Sequence, residues 1–269
     1  MNDSLWIWVL FAVGLYFLAT ALVFFFQRRL MYFPNLERPT PEVSGVPEMK
    51  EVSIQTEDNL SLLAWYRPPV KKEMPTLIYF PGNAGHLGMR AYKVKPYLDF
   101  GFGVLLTTWR GFSGNSGKPS EEGLYRDGRA ALDYVQNNSF HPANLILYGE
   151  SLGTGVAVHL ALEQPPVALV LEAPFSSACD VAKIRLPLFP VRSLIFDRFE
   201  SDKKISSIVA PILIVHGAKD KTIPIRLARK LFTFAKQPKS MHVFNSAGHN
   251  DLYHHGMDNI VLKFINELF

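Results

Sequence analysis

Leu145-Ile146-Leu147-Tyr148-Gly149-Glu150-Ser151-Leu152-Gly153-Thr154 is the stretch on which the rest of the chain hangs. Its first four residues form a short continuous apolar run, the pattern of a strand covered on both faces of a parallel sheet. From Thr154 to Glu163 the residues suit a helix. Between the two lies Gly-x-Ser-x-Gly. A strained strand-to-helix turn with this pattern lifts a serine hydroxyl clear of the sheet. A β-carbon on either flanking glycine would collide with the neighbouring strand or helix, so glycine is needed at both. The bare pattern is common; its place between a strand and a helix gives it weight.

Working outward, strands are predicted at 51–56, 61–66, 76–80, 103–108, 144–148, 167–171, 212–216 and 241–244. Helices are predicted at 88–100, 120–137, 152–163, 225–235 and 251–269. The first two strands are joined by the 57–60 turn as a hairpin, and from there strands and helices alternate. That succession predicts an α/β domain over 49–269: a mostly parallel eight-stranded sheet with helices on both faces. Residues 178–207 break the rhythm with Leu186-Pro187-Leu188-Phe189-Pro190 and Leu194-Ile195-Phe196. An insertion after a late strand sits over the carboxyl ends of the strands, where ligands bind. It is either a loop closing the core or a small lid, and as a lid it makes Phe175, Leu188 and Phe189 candidate substrate contacts.

The chain has 269 residues, 48% of them hydrophobic and 19% charged, enough for a sizeable core. Its net charge of +4 is scattered, without the basic stripe or motif of a nucleic-acid binder. The single cysteine, Cys179, excludes an intrachain disulfide. Residues 5–26 carry no charge, a run long enough to cross a hydrocarbon core of ~30 Å. The start Met-Asn-Asp-Ser lacks the basic character of a cleaved leader, and Gln27-Arg28-Arg29 follows the run. Residues 1–29 are therefore expected to be a single membrane anchor, and 30–48, with Pro34, Pro39, Pro41, Gly45 and Pro47, an irregular connector. Arg28, Arg29 and Arg38 against an N-terminal flank with only Asp3 place the domain on the cytoplasmic side.

A nucleophilic serine needs a base and an orienting acid. Of the eight histidines, His159 and His216 fall inside predicted elements and read as structural. His249 follows the last strand in a short loop, where it reaches the top of the sheet beside Ser151. With the chain order serine, acid, histidine, the acid lies between them. Asp220, just past the 212–216 strand, is the leading choice and Glu172 its rival. Oxyanion donors are the backbone N–H of Leu152 and, from the loop Pro81-Gly82-Asn83-Ala84-Gly85, that of Asn83. This chemistry calls for no metal and no organic cofactor.

The set Gly82-Asn83-Ala84-Gly85, Arg110-Gly111-Phe112-Ser113-Gly114, Ser120-Glu121-Glu122-Gly123-Leu124-Tyr125, the serine turn, Asp220 and Gly248-His249-Asn250-Asp251 resembles the membrane-anchored family of alpha/beta hydrolase domain-containing protein thirteen. The resemblance covers nearly the whole chain and implies the α/β-hydrolase fold with Ser151, Asp220 and His249 as its triad. Two departures stand out. The family usually has His-Gly where this chain has Pro81-Gly82, and often Asp-Tyr where it has Thr108-Trp109. The expectation is hydrolysis of an ester or thioester, in an acyl or lipid-like molecule or an acylated protein, through an acyl-enzyme. A peptidase on the same machinery is one rival. A catalytically silent binding protein on the same fold is the other.

Overall fold

The computed structural model describes residues 3–138 and 144–268. A long helix, α1 (Asp3–Met31), comes first. The domain behind it is built on one sheet of eight strands. These are β1 (Lys50–Gln55), β2 (Ser61–Arg67), β3 (Thr76–Phe80), β4 (Gly103–Leu106), β5 (Leu145–Glu150), β6 (Ala168–Glu172), β7 (Ile212–Gly217) and β8 (Lys239–Phe244). Their order across the sheet is β8-β7-β6-β5-β3-β4-β2-β1. Only β2 runs against its two neighbours; every other pairing is parallel.

Continuous apolar strands are what a sheet covered on both faces demands, and side-chain alternation divides each strand between two cores. Ile78, Phe80, Leu147 and Leu171 face α3 (Glu121–Asn138), α4 (Leu152–Glu163) and α8 (Ile225–Phe234), meeting Val135, Val156 and Leu231. Leu77, Tyr79, Tyr148 and Val170 face α2 (Ala91–Phe100) and α9 (Met257–Asn266), meeting Val94, Tyr97 and Val261. α4 is apolar nearly all round because it is packed on β5 and covered by its helical neighbours; nine of its residues are buried.

Two predicted helices are shorter than the periodicity suggests. The 88–100 segment opens as a 3₁₀ turn, Leu87–Arg90, before α2 begins. The 251–269 segment is interrupted at Gly256, whose φ of 86° is left-handed, so a 3₁₀ turn at Leu252–His255 precedes α9. Phe269 lies outside the described residues.

The 178–207 insertion contains α5 (Ala178–Arg185), α6 (Val191–Leu194) and α7 (Ser201–Lys204). Its later part closes the core, with Phe199 and Ile205 fully buried. Its earlier part lies along α1, and Leu188 there is 80% exposed. The connector is less irregular than its prolines imply. Phe33–Pro34 forms a two-residue parallel ladder with Ala84–Gly85, in the loop that follows β3.

Candidate active site

Ser151 stands between β5 and α4 with φ 50° and ψ −113°, a strained geometry for a residue with a side chain. Its neighbours make the turn possible. A β-carbon on Gly149 would sit 2.6 Å from the carbonyl oxygen of Gly153, and one on Gly153 only 2.1 Å from that of Phe80. The strained backbone is held by the Ser151 N–H donating to the carbonyl of Glu172 at 2.9 Å.

The loop after β8 brings His249 to this hydroxyl, with Nε2 3.1 Å from Ser151 Oγ. Nδ1 lies 2.6 Å from Asp220 Oδ2. A carboxylate can only accept, so Nδ1 carries the proton and Nε2 presents its lone pair to the serine. Asp220 is anchored in turn by N–H donors from Thr222 and Ile223 to Oδ1, at 2.7 and 2.8 Å. Burial by itself would raise its carboxyl. Hydrogen bonds from His216 and His249 outweigh that and hold it well below the usual carboxylate range. His216 is fully buried, with Nε2 donating to the carbonyl of Ile223 at 2.9 Å and 3.3 Å from Asp220 Oδ2. Its place at the end of β7, four residues before Asp220, is a signal that could have marked it as a brace for the acid.

Glu172, the rival acid, has a different partnership. Glu150 and Glu172 are opposite each other in the β5–β6 register, which sets two carboxylates side by side beneath the serine. Lys93 of α2 bridges them, its Nζ 3.0 Å from Glu150 Oε1 and 2.7 Å from Glu172 Oε1. Arg90 Nε adds a contact of 3.0 Å to Glu150. Tyr148 donates to Glu172 at 2.7 Å, and Tyr79 donates to Glu150 at 3.1 Å. Burial opposes the charge on Glu150, but Lys93 and Arg90 prevail and keep it ionised. A lysine in a predicted helix, with a second two residues on, reads as a surface charge, so periodicity did not reveal this cluster.

The loop after β3 is pinned from several sides. Gly82 N–H donates to Glu150 Oε2 at 3.3 Å. The indole N–H of Trp109 donates to the carbonyls of Pro81 and Gly82 at 3.2 and 3.3 Å, and its ring stacks on Phe80. The two departures from the family pattern thus meet: Trp109 fastens the loop that carries Pro81. The connector holds it too, since Asn83 Nδ2 donates to the carbonyl of Met31 at 2.6 Å and Phe33 N–H donates to that of Asn83 at 2.9 Å. These contacts leave the backbone N–H of Asn83 unengaged among the described residues. Leu152, at the first position of α4, has no intrahelical acceptor for its own N–H.

The remaining singled-out residues lie away from the serine's hydrogen-bonded line. Arg110 pairs with Asp58 and Asp127 and ties the hairpin turn to α3. His159 stacks on Tyr125. Phe175 is buried in the core. Leu188 and Phe189 meet α1, where Tyr16 donates to the Leu188 carbonyl at 2.9 Å and stacks on the Phe189 ring. Among the described residues no group of three His, Cys, Asp or Glu is placed to hold a metal ion.

Comparison with known proteins agrees with this architecture. A profile of the alpha/beta hydrolase fold matches residues 75–199. An uncharacterized protein of Mycobacterium tuberculosis is 40% identical over 228 residues, covering 84% of this chain and 81% of that one. Lysophosphatidylserine lipase ABHD12 of Danio rerio is 30% identical, over 82% of this chain and 67% of the lipase. The chain belongs to the α/β-hydrolase family. Among solved structures, an esterase of Pyrococcus furiosus superposes with a TM-score of 0.67 at 19% identity, covering 88% of this chain and 98% of the esterase. Relatives named lysophosphatidylserine lipase ABHD12 or protein ABHD12B support the alpha/beta hydrolase domain-containing proteins broadly, and not the thirteenth member in particular. α1 includes one segment, Trp6–Met31, long and apolar enough to cross a membrane, with a mean hydropathy of 2.5.

Proposed function

We propose that the protein is a membrane-anchored serine hydrolase that cleaves a carboxylic ester or thioester of a lipid-like substrate. The observation that carries this is the continuous hydrogen-bonded line Ser151 Oγ, His249, Asp220, with contacts of 3.1 and 2.6 Å. His249 removes the hydroxyl proton as Ser151 attacks the acyl carbon, and Asp220 stabilises the imidazolium that forms. The N–H groups of Leu152 and Asn83 receive the negative charge of the tetrahedral intermediate. His249 then returns the proton to the leaving oxygen or sulfur, and water repeats the sequence to release the acid.

Three features support a lipid-like substrate: the apolar α1, the apolar insertion beside it, and similarity to proteins named lysophosphatidylserine lipase. The test is turnover of long-chain acyl esters and thioesters by the full chain in detergent. Ser151→Ala should lose at least ~10³-fold while unfolding at the same temperature, because the turn's geometry belongs to its glycines. Undiminished turnover by that variant would overturn the mechanism.

A further inference from the structure

The insertion does not merely touch α1; it runs down it in register. Asp197 meets Arg28, with Oδ2 2.9 Å from Nε. Next, the Phe196 N–H and the Leu194 carbonyl meet the Gln27 amide, at 2.8 and 3.1 Å, and the Phe196 ring packs on Phe24. Finally Leu188 and Phe189 meet Tyr16. As the insertion is followed backward from 197 to 188, its partners on α1 move from 28 to 16. Twelve residues of helix at 1.5 Å each make this descent about 18 Å.

We infer that the tip of the insertion, Leu186 to Val191, is embedded in the bilayer beside the anchor, so that the partner of this surface is the lipid hydrocarbon itself. The inference rests on α1 being a membrane anchor and follows from depth. A hydrocarbon core of ~30 Å takes up about 20 helical residues. Set as far toward the N-terminus as the Trp6–Met31 segment allows, it ends near Phe25. Tyr16 then still lies about 14 Å inside it, and with Tyr16 lie Leu188 and Phe189.

The chemistry of the tip suits that medium. Leu186-Pro187-Leu188-Phe189-Pro190-Val191 carries no charge and no polar side chain, and Leu188 is left 80% exposed. Non-helical backbone at membrane depth survives only where its polar groups find partners in protein. Here three of the tip's four N–H groups find one, Leu186, Phe189 and Val191 donating to Ala182, Leu186 and Phe189 within the insertion, while that of Leu188 has no partner among the described residues. The carbonyls of Leu188 and Leu194 accept from Tyr16 and Gln27. This gives the Tyr16 hydroxyl a partner within the apolar run, where the other hydroxyl, that of Thr20, donates to the helix's own Tyr16 carbonyl. Of the flanking cations, Arg185 donates to the carbonyls of Lys221 and Thr222, beside Asp220. Exposed Arg192 has the length to carry its charge toward the headgroups. The insertion so described spans from lipid depth to the loop of the orienting acid, and the substrate class it implies is a lipid taken directly from the bilayer.

Depth can be measured on the full chain in phosphatidylcholine vesicles. In a Cys179→Ser background, single cysteines replace Leu188, Leu15 on α1 and Val43 on the connector, each exposed. Each carries an environment-sensitive fluorophore, quenched by lipids with nitroxides at two acyl depths. The expected result is a blue-shifted Leu188 label with the same two-depth quenching ratio as Leu15, and a Val43 label unquenched at both depths. A Leu188 label that behaves like Val43 while Leu15 is quenched would overturn the embedding and leave the anchor standing. Water-like emission from both Leu188 and Leu15 would take the anchor reading down as well, while hydrolysis through Ser151 would be untouched.

Discussion

Replacing Lys93 by methionine isolates what the buried charges beneath the serine contribute. The cluster is balanced, with Glu150 and Glu172 against Lys93 and Arg90. Methionine keeps most of the side-chain volume and removes the one cation paired with Glu172 among the described residues. The side chains of Lys93 and Glu172 are 4% and 1% exposed, so water cannot substitute. Glu172 would keep only the tyrosine hydroxyls, Tyr148 at 2.7 Å and Tyr79 at 3.5 Å. Breaking a buried pair from one side costs about 3–5 kcal/mol, because a desolvated charge is left uncompensated. At about 2–4 °C per kcal/mol for a domain of this size, the melting temperature should fall by roughly 6–20 °C. Thermal unfolding of the detergent-solubilised chain, followed by tryptophan fluorescence, reads this directly. Adding Glu172→Gln to Lys93→Met should recover more than half of the loss. A fall below ~3 °C, or a double variant no more stable than the single one, would mean that Lys93 does not compensate a desolvated Glu172.

Further outcomes follow from the site. Asp220→Asn should cost about 10⁴-fold in turnover, whereas Glu172→Gln should act mainly through stability, since of the two acids Asp220 is the one hydrogen-bonded to His249. The Asp220 carboxyl is lowered in the folded state relative to about 3.9 unfolded, so its stabilisation is complete above that value and is lost as pH falls toward the folded one. The stability gap between the native chain and Asp220→Asn, measured by urea unfolding, should therefore narrow between pH 6 and pH 3; a gap that widens would contradict the sign. A chain beginning at residue 37 lacks Met31 and Phe33, which hold Asn83, and should lose ~10- to 100-fold in kcat even on a water-soluble ester, while one beginning at residue 27 should not. Val43→Cys in the Cys179→Ser background should resist a membrane-impermeant thiol reagent on intact cells and react after permeabilisation, as expected of a domain on the cytoplasmic side.

The parts legible in the sequence are those governed by local pattern. β5 and the serine turn were readable because a strand buried on both faces must be continuously apolar and because two close backbone approaches admit only glycine. That His249 and Asp220 meet beside Ser151 was readable from chain order on such a sheet. What stayed hidden depends on partners far apart in sequence. Lys93 bridges residues 57 and 79 positions away, and nothing in the helix around it marks it as buried. Phe33–Pro34 pairs with a loop some fifty residues on, across a stretch whose prolines signal only irregularity. Gln27 and Tyr16, read only as parts of the anchor and its flank, serve carbonyls of an insertion more than 160 residues later.

The central claim is that Ser151 is the nucleophile activated by His249. Treating the full chain in native membranes with a fluorophosphonate and mapping the adduct by peptide mass spectrometry tests it most directly. One adduct is expected, on the peptide bearing Ser151, absent in Ser151→Ala and formed at least ~100-fold more slowly in His249→Ala. An adduct on a different serine, with Ser151 unmodified, would contradict it.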